Sequence, residues 1–362
     1  MRIGIILHPY GEKEPAGLAR AILDLTRAMI LSSPGDEFTI FAKGDAPARP
    51  DFPGSNWSFH PLGRGFFWRE RIRARAPGAD VYLFNTPVLP LFRRPRKSVL
   101  IALDFAYLAA PVPGMAGRVR TLLLRLYHAF SLSRADAVIA ISEATKKDAV
   151  RFFRIPEDKI RVVRLGFHPV CSLPEARVDA PEKFFLFVGA LKERKNVHGI
   201  IAAFARFAKS RPEYHLLLAG AAGGEYGVRM RRISAESGVG QRIKFLGHVS
   251  DATLSYLYRR AAALMYPSII EGFGFPVLEA MDCGIPVITS HVSSLAEIGG
   301  EAALLVDPQS PEAIAAGMAR IVDEPGLRET LIRKGNAWKD KFSWNKAGKE
   351  MAERLREIIL RV

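Results

Sequence analysis

The sequence predicts an α/β protein of two domains, each with a parallel sheet covered by helices. Its 362 residues exceed one typical hydrophobic core, so two domains are expected. Apolar runs of strand length alternate with segments of helical period from end to end, which is typical of βαβ units. A Pro-rich stretch without periodicity, 167–181, divides this series in two. We therefore predict domains over 1–170 and 171–345, followed by a helix over 346–362.

In the first half, short apolar runs predict seven strands. They cover 2–8, 37–43, 56–61, 80–85, 98–103, 136–141 and 160–165. Apolar residues at helical spacing predict helices between them, at about 17–32, 66–75, 115–132 and 143–154.

The second half repeats the alternation. Strands are predicted at 184–190, 214–220, 243–247, 262–266, 285–289 and 303–306. Helices are predicted at 196–209, 225–237 and 251–261, then from 311 onward. The last helix carries too many charges to be buried on all sides, so we expect it to lie across a surface.

The segment 271–279 carries the first chemical signal. Glu271 and Glu279 lie eight residues apart across a Gly-rich turn, and Pro276 stands where a helix would begin. Free backbone N–H groups and the helix dipole make such a start an anion site. A nucleotide sugar would suit this site, because its phosphate could bind the amides and its hydroxyls could bind the carboxylates. An ordinary βα turn with two solvated glutamates is the alternative.

The segment 184–196 carries the second signal. A predicted strand ends at Gly189, and Arg194 and Lys195 precede a helix that Asn196 could cap. Two cations at the carboxyl end of a strand can stabilise a departing diphosphate without a metal. A pair of solvated loop cations is the alternative.

Positive charge is concentrated in the first half. Residues 1–170 carry a net charge of +11, and residues 171–362 carry +4. Apolar residues run between the basic ones, which favours an anionic membrane surface or a lipid-linked acceptor. A solvated basic face and nucleic acid are the alternatives, although no nucleic-acid module is recognisable. The basic clusters are Arg64, Arg69, Arg71, Arg73 and Arg75; Arg93, Arg94, Arg96 and Lys97; and Arg118, Arg120 and Arg125.

Composition excludes several other classes of protein. The chain is 49% apolar and 25% charged, as in globular proteins, and no apolar run approaches the length that spans a bilayer. The first residues enter a strand without a signal-peptide pattern. Two cysteines, Cys171 and Cys283, are too few for a disulfide framework and lack metal-ligand spacing. We expect a cytoplasmic protein.

The motifs together resemble glycosyltransferase family 4, the retaining enzymes of GT-B fold. The resemblance covers nearly the whole chain and is densest from about 135 to 310. It implies two Rossmann-like domains facing a deep cleft, with a C-terminal helix that crosses back to the first domain. The matching stretches are Gly189…Arg194-Lys195-Asn196, Glu271 to Glu279, 138–146, 245–249, 279–287 and 301–308.

The resemblance also implies roles for single residues. Glu279 would bind the ribose hydroxyls, and Glu271 would bind the transferring sugar. Arg194 and Lys195 would bind the diphosphate. Gly17 would allow close approach of the backbone to the donor phosphate, with a simple turn as its alternative. The remaining donor-binding positions are Gly189, for the end of the strand; Gly272, Phe273 and Gly274, for amides near the sugar; and Val277 and Leu278, for amides near the diphosphate.

Some positions depart from the family pattern. Ala16 replaces the first of two glycines, Ala190 stands where an Arg is common, and Leu103 precedes Asp104 where a His is common. Asp104 remains a catalytic and acceptor-side candidate, with a structural role as the alternative. His8, at the end of the first strand, is the other acceptor-side candidate, with packing or capping as its alternative.

The resemblance implies a retaining hexosyltransferase that needs neither metal nor cofactor. The expected donor is a GDP- or UDP-linked sugar, with GDP-mannose the first choice. The expected acceptor is a membrane-associated glycolipid or a lipopolysaccharide or exopolysaccharide precursor, reached from the inner face of the cell membrane. Nucleic acid is not expected as a partner. A soluble α-glucosyltransferase using UDP- or ADP-glucose and a non-catalytic nucleotide-sugar-binding subunit are the alternatives.

Overall fold

The computed structural model describes residues 1–8, 10, 17–44, 48–65, 67–75, 78–109 and 114–360. The chain divides into two compact units. The first unit comprises Met1–Gly166 and Phe342–Val362, and the second comprises Phe167–Lys341. Sequence analysis places the corresponding boundaries at 170 and 345.

The first unit is built on a parallel sheet of seven strands in the order β3-β2-β1-β4-β5-β6-β7. Its strands are β1 (Arg2–Leu7), β2 (Glu37–Ala42), β3 (Trp57–Pro61), β4 (Val81–Phe84), β5 (Ser98–Ala102), β6 (Ala137–Ala140) and β7 (Ile160–Val162). Its helices up to residue 166 are α1 (Leu18–Ser32), α2 (Ile72–Arg75), α3 (Ala106–Ala109), α4 (Met115–Arg134) and α5 (Glu143–Phe153).

The second unit has a parallel sheet of six strands in the order β10-β9-β8-β11-β12-β13. Its strands are β8 (Lys183–Val188), β9 (Tyr214–Ala219), β10 (Ile243–Gly247), β11 (Leu264–Tyr266), β12 (Val287–Ser290) and β13 (Leu304–Val306). Its helices are α6 (Val197–Phe207), α7 (Gly224–Glu236), α8 (Asp251–Arg260), α9 (Phe275–Asp282), α10 (Ser293–Gly299), α11 (Pro311–Asp323) and α12 (Leu327–Lys339).

The final helix, α13 (Trp344–Leu360), packs against α1 in the first unit. The two helices meet closely at Gly348, where an added Cβ would lie 2.5 Å from the carbonyl carbon of Ala28. A side chain at this position would therefore force the helices apart. Lys97 donates to the carbonyl of Ile359 at 2.7 Å, and Arg356 donates to Asp36 at 2.7 Å. These contacts attach the C-terminal helix to the first unit.

Each sheet has one point where the strand order reverses. In the first sheet this point lies between β1 and β4, and in the second between β8 and β11. Ligands of open parallel sheets bind outside the carboxyl ends of strands at such a point. The strands are apolar because helices cover both faces of the sheet; β1, β8 and β9 each have at least four buried residues. The fold thus marks one expected ligand position in each unit.

The predicted pair of parallel-sheet α/β domains is confirmed, and most predicted strands agree with the structure to within two residues. Two short helices were missed. One is α3, of four residues, and the other is α10, which follows β12. Within the described residues, no helix combines the length and apolar character needed to cross a bilayer.

The two cysteines form a disulfide, which the sequence argument from cysteine number did not anticipate. Cys171 and Cys283 are 112 residues apart in sequence, and their Cα atoms are 5.3 Å apart. Cys171 lies in a 3-10 turn that packs against α8 and α9, and Cys283 caps the C-terminus of α9. Tertiary packing brings the two together, and sequence spacing carries no signal of it.

Candidate active site

The two strongest sequence signals meet at the reversal point of the second sheet. Arg194 and Lys195 belong to a 3-10 turn that follows β8, and Glu271 lies in the loop that follows β11. Because β8 and β11 are parallel neighbours, their carboxyl ends present these three side chains at the same edge.

The three side chains form a charged cluster. Lys195 Nζ lies 2.5 Å from Glu271 Oε1, and Arg194 Nη1 donates to Glu271 Oε2. The same guanidinium nitrogen donates to the carbonyl of Ile270 at 3.1 Å. Glu271 and Lys195 are buried, at 8% and 9% exposure. Two cations share one carboxylate, so the cluster retains a net charge of +1 to offer an anion.

Tyr266, the last residue of β11, also contacts this cluster. Its hydroxyl accepts a hydrogen bond from Lys195 and donates to Glu271 Oε1 at 3.2 Å. The Lys195 ammonium is 4.6 Å from the centroid of the Tyr266 ring, on the side of the hydroxyl. Sequence analysis placed this tyrosine in a buried strand and gave it no role in the site. Its position at the carboxyl end of a predicted strand, with a polar hydroxyl on an aromatic ring, could have indicated a role in the site.

Electrostatics hold Glu271 ionised. Burial alone would raise the pKa of this carboxyl, but Lys195 and Arg194 outweigh burial and lower it. Burial raises the pKa of Tyr266 well above its usual value, and the Glu271 charge raises it further. The tyrosine therefore stays a neutral hydroxyl between two charges.

Helix α10 holds the glutamate loop in place. Ser293 Oγ accepts from the backbone N–H of Glu271 at 3.2 Å. Ser294 Oγ lies within hydrogen-bond distance of the carbonyls of Glu271 and Phe273, at 2.9 and 2.7 Å. Neither serine is among the predicted site residues, because the apolar pattern does not predict α10. The adjacent serines after β12 were the signal that could have found them.

Gly274 makes the tight turn into α9. Its φ of 126° lies in the region that favours glycine, and an added Cβ would lie 2.7 Å from Leu295. Pro276 stands in the first turn of α9, as predicted. The N–H of Val277 donates to the carbonyl of Gly274 at 3.0 Å, so this amide has a partner within the turn.

Glu279 lies one turn into α9, where Tyr258 of α8 donates to its Oε2 at 2.9 Å. Tyr258 is fully buried, and its pKa is raised well above the usual value by burial and then by Glu279. The charge of Glu279 also raises the pKa of Tyr266. Gly189, with a φ of 140°, adjoins Lys195: an added Cβ would lie 3.8 Å from Nζ.

Asn196 occupies the N-cap position of α6, as predicted, but its side chain makes no capping hydrogen bond. The residue adopts a left-handed conformation, with a φ of 56°. Its buried amide instead donates to the carbonyls of Pro267 and Pro308, at 3.1 and 2.6 Å. The first bond attaches the cationic turn to the segment that leads from β11 to Glu271, and the second attaches it to the segment that follows β13.

The reversal point of the first sheet holds His8. Its backbone N–H donates to Oδ1 of Asn85, which follows β4, at 3.0 Å. Asn85 is 1% exposed, and among the described residues neither its Nδ2 nor the buried Nε of Arg69 has a hydrogen-bond partner. Arg69 lies over the Trp68 ring, 4.4 Å from its centroid, and that ring is 5.7 Å from His8. Asn85 is not among the predicted site residues, and Arg69 is predicted only as part of a basic cluster.

The other first-unit candidates have local roles in this structure. Asp104 Oδ1 accepts the backbone N–H of Ala106 at 3.1 Å and so caps α3. Gly17 precedes α1 with a φ of 55°, and no atom of the described residues would lie within 4 Å of an added Cβ. Leu103 is half-buried and Ala190 is exposed, whereas Ala16 lies outside the described residues. The structure therefore joins Arg194, Lys195 and Glu271 in the second unit, and places Gly17, His8 and Asp104 in the first.

Comparisons with known proteins agree with this architecture. Residues 15–169 match the model of Glycosyltransferase Family 4, and residues 174–338 match that of Glycosyl transferases group 1. An O-antigen chain mannosyltransferase B of Escherichia coli is 31% identical over 277 residues, which cover 73% of this chain and 71% of the relative. An O-antigen chain mannosyltransferase of Salmonella typhimurium is 28% identical over 57% of each chain.

Sucrose-phosphate synthase from Thermosynechococcus elongatus is similar in fold over the full length of both chains, with a TM-score of 0.76 and 22% identity. The fold of two Rossmann-like parallel-sheet domains is the GT-B fold. The reach of the two family models and the coverage of the Escherichia coli relative show that this chain belongs to glycosyltransferase family 4 and is a sugar-transferring enzyme.

Proposed function

We propose that the enzyme transfers mannose from GDP-mannose to a hydroxyl of a membrane-associated glycolipid or a lipopolysaccharide or exopolysaccharide precursor, with retention at the anomeric carbon. The cluster of Arg194, Lys195 and Glu271 carries the proposal, because it combines surplus positive charge with a held carboxylate. The choice of mannose rests on the two O-antigen mannosyltransferases among the relatives.

The donor would be divided among the groups of the second unit. Arg194 and Lys195 would bind the diphosphate, and Glu271 would accept hydrogen bonds from the sugar hydroxyls. Glu279 would accept from the ribose hydroxyls, with Tyr258 fixing the direction of its carboxylate. Amides near Gly272, Phe273, Gly274 and Leu278, and the glycine at 189, would allow the sugar and phosphates to approach the backbone closely.

In the proposed reaction the bond from the anomeric carbon to the phosphate oxygen breaks, and the acceptor oxygen bonds to that carbon on the same face. The acceptor proton passes to the departing phosphate oxygen, so no dedicated base is required. Negative charge grows on the diphosphate as the bond breaks, and two preorganised cations stabilise it. We propose that this stabilisation works without a metal ion or other cofactor.

The acceptor would bind the first unit. His8 and Asp104 remain candidates for its hydroxyls, and Arg69 and Asn85 join them because each has a buried nitrogen that no described residue contacts by a hydrogen bond. A polar or anionic group of the acceptor would satisfy these donors. We propose a peripheral location on the inner face of the cell membrane, where such precursors would be met.

A donor panel tests the proposal. Purified enzyme is incubated with GDP-mannose, UDP-glucose or ADP-glucose and a panel of lipid-linked and free saccharides, and products are identified by mass spectrometry and by the anomeric NMR signal. A mannosylated lipid-linked product with retained configuration is expected. Glucosyl transfer to a free saccharide would support the α-glucosyltransferase alternative, and donor binding without turnover would support a non-catalytic subunit.

A further inference from the structure

Helix α4 exposes an apolar stripe to solvent. Five large hydrophobic side chains on this one helix are 50% to 75% exposed: Met115, Val119, Leu122, Leu123 and Leu126. At about 100° per residue, these positions fall within an arc of about 100°. We call them the α4 stripe. The buried residues of α4, Gly117, His128, Ser131 and Leu132, lie on the opposite side.

Arginines border the stripe on both sides. Arg118 and Arg125 flank one edge of the arc and Arg120 flanks the other, and all three are exposed. The helix has four arginines and no acidic residue. A helix that faces only water carries polar residues on its outer side, so this pattern indicates a partner that is apolar at its centre and anionic at its surface.

A second exposed apolar feature lies in the same unit. Phe67 and Phe92 are 54% and 76% exposed, with ring centroids 6.0 Å apart. The carboxylate of Glu70 holds the loop of Phe92 by accepting the backbone N–H groups of residues 91, 92 and 93, at 2.7 to 3.2 Å. Tyr127 of α4 donates to the carbonyl of Leu89, which ties this segment to α4.

We propose that the α4 stripe docks the enzyme on an anionic lipid bilayer, with the leucines in the interfacial region and the arginines at the headgroups. Charge complementarity selects this occupant: the first half of the chain carries a net charge of +11, and α4 has no carboxylate to repel anionic lipid. Long arginine side chains reach headgroups while their stems cover apolar surface. The proposal deepens the proposed function, on which it rests for the choice of a lipid surface.

Vesicle flotation tests the docking surface without reference to catalysis. Wild-type enzyme is mixed with vesicles of equal parts phosphatidylglycerol and phosphatidylcholine, or of phosphatidylcholine alone. We expect flotation with the first, weaker flotation with the second, and a decrease at high salt. The double variant Leu122→Asn/Leu126→Asn should bind anionic vesicles at least about tenfold more weakly, because the apolar stripe supplies the insertion.

The matched control is Leu31→Asn/Val228→Asn, which removes two hydrophobic side chains of similar exposure, 61% and 70%, from other helices. It should float like the wild type. Arg118→Gln/Arg125→Gln should lose the preference for anionic vesicles. No flotation of the wild type, or equal loss in stripe and control variants, overturns the proposal. A wild-type dimer by light scattering that the stripe variant makes monomeric would also overturn it, since the occupant would be a second copy.

The donor panel separates this inference from the proposed function. The stripe variant should keep wild-type transfer to an acceptor dispersed in detergent and lose transfer to the same acceptor in vesicles. Enzyme whose flotation depends on the α4 stripe but that transfers no sugar from any donor would support the docking surface and overturn the proposed function. Enzyme that transfers sugar but does not float would support the proposed function and overturn the docking surface.

Discussion

Lys195 and Glu271 form a buried ion pair, with Nζ 2.5 Å from Oε1 and side-chain exposures of 11% and 7%. Burying a charge pair costs desolvation energy that mutual attraction often fails to recover. A pair of this kind contributes little to the stability of the fold. Its position outside the carboxyl ends of two adjacent strands therefore indicates a role in ligand binding or catalysis. With Arg194 as a second cation, the pair presents a charge surplus to a ligand and an oriented carboxylate beside it.

Replacing the carboxylate should separate sugar transfer from diphosphate binding. We expect Glu271→Gln to lower kcat/KM by about a hundred- to a thousandfold, as loss of a preorganised group in the transition state does. Binding of GDP should be unchanged or tighter, since the cations lose a competing negative charge. Calorimetry with GDP and initial rates with the donor measure the two effects. Glu312→Gln, at an exposed pair with Arg206, is the control. Equal loss of GDP binding and transfer would contradict the division of roles.

Removing the buried cation should weaken both steps together. Lys195→Gln takes away a positive charge proposed to contact the diphosphate, so GDP affinity and kcat should both fall, by about tenfold or more in each. Lys192, exposed in the same turn, provides the matched control Lys192→Gln. If the two variants behave alike, long-range attraction explains the result and a specific contact does not.

The hydroxyl of Tyr266 should matter through positioning. Tyr266→Phe leaves the buried ammonium of Lys195 without one of its acceptors, at a cost of about 1–3 kcal/mol in unfolding free energy. KM for the donor should rise more than kcat falls, because the cluster loses its alignment before the donor binds. Tyr214→Phe, which keeps its ring contacts with Phe185 and Phe207, is the control. Urea unfolding of both variants measures the change in unfolding free energy, and donor kinetics measure the changes in KM and kcat.

Much of the second unit could be predicted because its chemistry follows strand ends. The strand that ends before Gly189 and the strand that ends before Glu271 are visible as apolar runs, and parallel neighbours present their ends at one edge. The sequence does not show which side chains complete the edge. Ser293 and Ser294 belong to a helix of seven residues, whose apolar periodicity is weak. The side-chain amide of Asn196 donates to two backbone carbonyls that are 71 and 112 residues away in sequence.

The disulfide should contribute strongly to stability. Linking residues that are 112 positions apart restricts the unfolded chain, and disulfides typically stabilise proteins by about 2–4 kcal/mol, with long loops toward the upper end. Cys171→Ser/Cys283→Ser should lower the unfolding free energy in urea by that amount. Dithiothreitol should destabilise the wild type and leave the serine variant unchanged. A wild type indifferent to reductant would contradict the expectation.

His8 should act as a neutral group at physiological pH. Burial, and then the charges of Arg69 and Lys43, lower its pKa from 6.5 to about 4. Between these two values the unfolded chain binds more protons at this position than the folded chain. The folded state therefore loses stability as pH falls from 6.5 toward 4, by about 2–3 kcal/mol from this group, and the effect of His8 fades as pH rises above 6.5.

His8→Asn should reduce that acid-side loss and leave stability at pH 7.5 nearly unchanged, as measured by urea unfolding at both pH values. The same pKa predicts that kcat/KM for the acceptor carries no inflection from His8 near pH 6.5. A hydrogen-bond role in acceptor binding would then appear as a higher acceptor KM in His8→Asn at every pH between 6 and 8. An inflection near 6.5 that disappears in the variant would show instead that His8 titrates in the folded enzyme and acts as an acid or base.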